Sequence, residues 1–275
     1  MLTQEQLKEI KSLQEICEKH GGFQLKLNDD MLANRSENSK EDFLHYEDGQ
    51  LVGFLGLYGF GSKVEICGMV HPDYRRQGIF TKLFAAGIEE SKKQGAEKIL
   101  LNAPTGSDTA KEFLKNIPVE FYVAEYQMQW QHKELTVDPS IIVRPSVSPE
   151  DFEAEVQLEV LCFGFKEEDA REFEGMLRDS PTENMLVIEA DGKLAGKMRV
   201  SESKGEAWIF GFGVFPELRG KGIGRKALSK VVMTEHEKGL PIFLEVEAKN
   251  AHALGLYESC GFKTYHSQDY YKYNL

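Results

Sequence analysis

Residues Arg219-Gly220-Lys221-Gly222-Ile223-Gly224-Arg225-Lys226 place three glycines at alternate positions among four cations. Glycine lets backbone approach a ligand with no side chain between them. The amides that open a helix lack intrahelical partners and suit a phosphate. An apolar run precedes this stretch and an amphipathic run follows it, so it reads as a strand, a glycine turn and a helix start that together cradle a pyrophosphate. Two other nucleotide motifs do not fit. A P-loop requires Gly where the chain has Phe215 and Ser or Thr where it has Gly222, and a dinucleotide fingerprint begun at Gly220 requires Gly where Arg225 stands.

The elements around the cradle follow from periodicity. Thr3 to Lys19 is helical, stopped by Gly21-Gly22, and Phe23 to Leu27 reads as a strand. Asn28 to Glu41 reads as a short helix and loop. Asp48-Gly49 between apolar runs predicts a hairpin over 43–58. A strand over 63–70, a helix over 79–94, a strand over 98–103, a helix over 109–116 and two strands ending by Gln131 complete the first half. Residues 133–140 read as a connector. A strand over 141–144 follows, then helices over 149–162 and 167–178, with Ser148 and Pro149 opening the first of them. A second hairpin turns at Asp191-Gly192. The strand 207–214 feeds the cradle, a helix runs over 223–238, and a strand over 242–248 precedes a helix over 251–259 and two short C-terminal strands.

The order of elements restarts, and the restart has a register. Asp48-Gly49 and Gly53 recur at Asp191-Gly192 and Gly196, 143 residues on, while Val70, Pro72, Arg75 and Gly78 recur at Val214, Pro216, Arg219 and Gly222, 144 residues on. One register held over strand, turn and helix marks a duplicated α/β domain. The expected fold is α/β (α+β): two tandem domains, 1–136 and 141–275, each a mixed, mostly antiparallel sheet flanked by helices.

Composition narrows the function. The chain has 275 residues, is 41% apolar and 28% charged, and carries a net charge of −12. That charge argues against nonspecific nucleic-acid binding and favours approach of a cationic substrate. There is no run of 18 apolar residues, so no membrane span is expected. Cys17, Cys67, Cys162 and Cys260 stand far apart, so neither a metal site nor a disulfide framework is indicated, and a cytoplasmic location follows as the expectation. Composition leaves the oligomeric state open.

Two motifs in the second copy resemble the GNAT acetyltransferase superfamily. Arg219-Gly220-Lys221-Gly222-Ile223-Gly224 is similar to that family's pyrophosphate loop, and Asn250-x-x-Ala253-x-x-Leu256-Tyr257-x-x-x-Gly261-Phe262 is similar to its second motif. The tandem layout resembles that of the mycothiol synthases. The resemblance implies acetyl-CoA as acyl donor, no metal, and a cofactor-binding set of Val214, Arg219, Gly220, Lys221, Gly222, Ile223, Gly224, Arg225 and Asn250. Asn250 reads equally well as the cap of the following helix.

The resemblance also implies catalytic roles. Tyr257 stands where family enzymes place the general acid, and a phenol of pKa about 10 can donate to a thiolate of roughly 8.5; as the bland alternative it is a core aromatic. Glu245, twelve residues earlier, shares its spacing with the base of bacterial enzymes that acetylate ribosomal-protein N-termini; alternation also makes it an ordinary exposed strand residue. Glu206 and Glu247 are alternatives, and an α-amine of pKa about 8 needs no dedicated base. Cys260 reads as a small buried residue and His252 as solvated. In the first copy Phe80 stands at the register of Gly224 and Phe113 at that of Tyr257, so only the second copy carries a complete set. The expected function is transfer of acetyl from acetyl-CoA to a primary amine of a small molecule. A peptide N-terminus as acceptor, or a non-catalytic acyl-CoA sensor, is the alternative.

Overall fold

A computed structural model describes residues 2–35 and 40–274. The chain forms two compact units, Met1–Ala124 with Ser267–Leu275, and Glu125–His266.

In the first unit, helix α1 (Gln4–Gly21) opens with a capping box between Thr3 and Gln6 and closes on Gly22 in the left-handed region. The short helix α2 (Asp29–Ala33) follows, and the expected loop beyond it falls partly on residues 36–39, outside the described residues. Strands β1 (Asp42–Glu47), β2 (Gln50–Phe60) and β3 (Lys63–Val70) form an antiparallel meander. Helix α3 (Ile79–Lys93) leads to β4 (Lys98–Pro104), parallel to β3, and then to α4 (Asp108–Leu114). Residues 23–27 are not a strand: this segment is tied through side chains instead, with Gln268 Nε2 donating to the Gln24 carbonyl.

The second unit repeats the plan. It contains β6 (Ile141–Pro145), α5 (Pro149–Leu158) running into a π-helical turn Glu159–Phe163, α6 (Glu167–Arg178), β7 (Glu183–Ala190), β8 (Lys193–Ser203), β9 (Glu206–Val214), α7 (Ile223–Glu237), β10 (Ile242–Glu247) and α8 (Ala251–Ser259). The strands β6 to β9 are antiparallel neighbours and β10 is parallel to β9. Met198, Val200, Ile209, Leu228, Val231, Leu244 and Val246 form the core beneath α7.

Two long strands replace the pairs of short ones expected near residue 131 and at the C-terminus. β5 spans Val119–Trp130 and β11 spans Phe262–Tyr273. Neither contains a Gly or Pro to break it. The chain leaves the first unit within β5 and returns to it within β11. Residues 125–129 of β5 therefore run antiparallel to β10 inside the second unit, while residues 268–272 of β11 run antiparallel to β4 inside the first. No helix among the described residues is long and apolar enough to cross a membrane.

Candidate active site

The glycine cradle lies where the sequence predicts it. Gly220 and Gly222 have φ of 77° and 79°, the left-handed region that favours glycine. A Cβ on either would meet nothing within 4 Å. Gly222 caps α7 with no side-chain hydrogen bond to the helix start, so the first amides of α7 point into open space. Ile223 is buried against Ile141, Ile188, Ala195 and Ala227 and anchors the first turn. Lys221 and Arg225 are exposed, whereas Lys226 is committed to Asp138 at 2.8 Å.

Arg219 is exposed but tied back to its own loop. Its Nε donates to the Val214 carbonyl at 3.0 Å, and its guanidinium meets Cys162 Sγ at 3.1 Å. The first unit repeats the arrangement: Arg75 Nε donates to the Val70 carbonyl at 3.0 Å, and Cys17 Sγ lies 3.4 Å from the same oxygen. In both units this arginine ties the loop to the end of the preceding strand. Cys17 and Cys162 stand 145 residues apart, so the repeat reaches further back than the glycine and proline matches alone reveal.

Strands β9 and β10 part beside the cradle. Their ladder runs from Ala207↔Ile242 to Ile209↔Leu244 and ends there, although β9 continues to Val214 and β10 to Glu247. Just past the last pair, β9 carries a bulge. Arg199 pairs with Phe210 but Lys197 pairs with Gly213, so β9 spends one residue more than β8, and Gly211 takes φ 54°. The equivalent pair β2 and β3 keeps one register throughout. The extra residue is the step from 143 to 144 in the repeat offset: a one-residue difference in the sequence is a bulge in the site. Unpaired backbone at the divergence of two parallel strands, next to an uncapped helix start, suits a long polar ligand with a phosphate at one end.

Tyr257 on α8 is 8% exposed. It packs in the core with Leu244 and Val246, and its ring lies 6.4 Å from that of Phe212, just beyond the bulge. Burial pushes its phenol up to about 12, because the charged form is penalised in an apolar setting. Asn250 Oδ1 accepts the Ala253 amide at 3.1 Å, the cap of α8. This bond fixes the start of the helix that presents Tyr257.

Glu245 projects from the other face of β10. Its neighbour on that face, Phe243, stacks on Trp208 at 4.9 Å, and Gln127 Nε2 donates to Glu245 Oε1 at 2.9 Å. Gln127 comes from β5, so the pairing of β5 with β10 orients this carboxylate. Glu245 and Tyr257 thus lie on opposite sides of β10, at the stretch where β9 has separated from it. Glu206 accepts from Trp208 Nε1 at 2.9 Å, and Glu247 pairs with Lys249 at 3.2 Å.

In the first unit the rings are exchanged across the same contact. Phe80 packs edge-on against Phe113 at 4.8 Å, and a Cβ on Gly68 would meet the Phe80 ring at 2.8 Å. Gly68 and Phe80 correspond in register to Phe212 and Gly224. In the second unit the ring therefore comes from the strand and the helix start stays small. In the first the ring comes from the helix start itself, and the Tyr257 position is a phenylalanine without a hydroxyl.

The comparisons with known proteins agree with this geometry. Residues 7–116 and again 152–262 match the acetyltransferase (GNAT) family. A mycothiol acetyltransferase from Thermomonospora curvata is 26% identical over 281 aligned residues, covering 96% of this chain and 92% of that protein. A [ribosomal protein bS18]-alanine N-acetyltransferase from Salmonella typhimurium is 35% identical over 78 residues, covering 28% of this chain and 53% of that one. The fold is shared with a GCN5-related N-acetyltransferase from Sphaerobacter thermophilus, with a TM-score of 0.78 at 19% identity over 96% of this chain and 91% of that one. The chain belongs to the acetyltransferase (GNAT) family, and it carries that family's domain twice.

Proposed function

We propose that the second unit transfers an acetyl group from acetyl-CoA to the primary amine of a small molecule. The observation that carries this reading is the inequality of the two copies. Both have a glycine cap at the helix start and parted parallel strands, the β3–β4 ladder ending at Ile66↔Leu101 although both strands continue. Only the second combines a small helix start, a bulged β9 and a tyrosine on α8. Val214, Arg219 and residues 220–225 would hold the pyrophosphate. When bound, acetyl-CoA supplies an activated acetyl thioester.

The chain's own residues then have separable tasks. Tyr257 holds a proton at its phenolic oxygen throughout the neutral range and can deliver it to a departing thiolate. Glu245, oriented by Gln127, can accept a proton from an incoming ammonium. Asn250 positions Tyr257 by capping α8, and Arg219 positions the loop. The long alignment with a mycothiol acetyltransferase supports a small-molecule acceptor. The shorter, more similar alignment with a bS18-alanine N-acetyltransferase supports a peptide N-terminus as the second reading. Retention of both motifs in the second unit argues against the non-catalytic sensor.

The test is an acceptor screen that follows thiol release from acetyl-CoA over small amines and peptide N-termini. Turnover on small amines, reduced in Tyr257→Phe, is the expected result. Turnover on peptides alone would replace the small-molecule reading with the second one.

A further inference from the structure

A cavity of about 180 Å³ lies in the second unit, bounded by the π-helical turn, α6, β8 and the bulge of β9. Its centre is ionic. Lys197 Nζ donates to both Glu159 and Glu174, and all three side chains are at most 5% exposed. Glu155 lines the same space and pairs with Arg178 at 2.6 Å, and Arg199 pairs with Glu183 at 2.6 Å. These groups carry four negative and three positive charges, leaving one carboxylate without a counter-charge. Glu174 Oε2 and Glu155 Oε1 are buried and have no hydrogen-bond partner. Both residues are wholly buried and both line the cavity.

The duplicated fold supplies an internal control. In the repeat register Lys197 corresponds to Phe54, and Glu159, through the shared Cys17 and Cys162, to Gln14. Phe54 is fully buried in a packed apolar core with Ile10, Leu13 and Tyr58. The second copy replaces this filled core with a cavity, a buried lysine and an unbalanced carboxylate, each of which costs stability unless something compensates it. Burial, helped by the facing Glu174 carboxylate, raises the pKa of Glu159, so the excess charge can be met by a proton or by a cation from outside. Phe163, Phe165, Phe173 and Phe210 add aromatic walls, whose faces attract cations. Phe210 and Gly211 reach the point where β9 leaves β10. Lys197 already sits between two carboxylates, which disfavours a divalent metal there. The volume compares with the roughly 150 Å³ that accommodates a single six-membered ring.

We infer that this cavity is a subsite for a cationic, ring-sized end of the acceptor, separate from the amine that Glu245 deprotonates. This rests on the acetyl-transfer reading of the same unit, but its test does not need turnover. Benzylamine, as its ammonium, and benzyl alcohol are titrated into the full chain without acetyl-CoA, by calorimetry at neutral pH. The expected result is saturable binding of benzylammonium at least tenfold tighter than the alcohol, with that preference lost in Glu174→Gln. Phe163 is 44% exposed, so Phe163→Ala tolerates truncation and locates the site if Glu174→Gln does not fold; it should weaken benzylammonium several-fold. Equal binding of amine and alcohol, binding of neither, or binding unaffected by these variants overturns the subsite. The acetyl-transfer reading survives that failure if the chain still consumes acetyl-CoA with another amine. Selective binding of benzylammonium without any acetyl transfer would leave the subsite standing and remove that reading.

Discussion

Gly222→Ala and Gly78→Ala form a matched pair that separates ligand contact from backbone strain. Both glycines cap the helix after a cradle, both have φ of 79°, and a Cβ on either meets nothing within 4 Å. The strain of alanine in the left-handed region is about 1–2 kcal/mol at each site, so the two variants should lose similar stability in thermal or urea denaturation. Their effects on acetyl-CoA should differ. In the second unit the new methyl enters the space where a phosphate would meet the open amides of α7. Loss of one hydrogen bond to a charged group costs about 1.5–3 kcal/mol, which is about 10- to 150-fold in affinity. Initial rates of thiol release with acetyl-CoA varied should show that rise in KM for Gly222→Ala and almost none for Gly78→Ala. Equal rises in both variants, or none in Gly222→Ala, would refute the assignment of the phosphate site to the second unit.

Other outcomes follow from the same geometry. Tyr257→Phe should lower kcat by about 10²–10⁴, and because burial holds the phenol up to about 12, the wild-type rate should show no falling limb from this group up to pH 10. A falling limb near pH 9 that disappears in Tyr257→Phe would contradict the raised phenol, and an unchanged kcat in Tyr257→Phe would contradict its role as the acid. Asp151 is buried, accepts both terminal nitrogens of Arg144 at 2.8 and 2.9 Å, and caps α5. Asp151→Asn should cost the second unit about 3 kcal/mol in urea denaturation. Arg144 holds this carboxyl below its usual range, so its contribution is complete above about pH 4 and is lost as the pH falls further. The gap between Asp151→Asn and wild type should accordingly narrow in acid, and a gap that widens there would reverse the sign of the argument. Gln127→Ala should lower kcat with the acetyl-CoA KM unchanged, because it removes the donation that orients the Glu245 carboxylate; an unchanged kcat would show that Gln127 only packs.

Local chemistry was legible in the sequence where a residue type answers a local demand. Gly220 and Gly222 of the cradle meet positive φ, Ser148 and Asn250 cap the helices that follow them, and Asp48-Gly49 and Asp191-Gly192 make the turns. The repeat was legible too, and its one-residue step already encoded the bulge at Gly211, although only strand pairing reveals what that step does. Long-range partners were not legible. The alternation in β5 and β11 specifies strands but not which strand each half will meet, so the donation from Gln127 to Glu245 could not be read from spacing. Lys197 looks like an ordinary polar strand residue until α5, its π-helical turn and α6 close over it. Phe23 to Leu27 alternates like a strand but runs outside the ladder, since alternation reports burial of one face and not hydrogen bonding.

Titration of acetyl-CoA into the full chain tests the central claim most directly, because it counts the sites that the two copies provide. One acetyl-CoA per chain is predicted, retained in Gly78→Ala and weakened in Gly222→Ala. Two equivalent sites, or a single site abolished by Gly78→Ala and untouched by Gly222→Ala, would contradict the claim that the second unit alone holds the acyl donor.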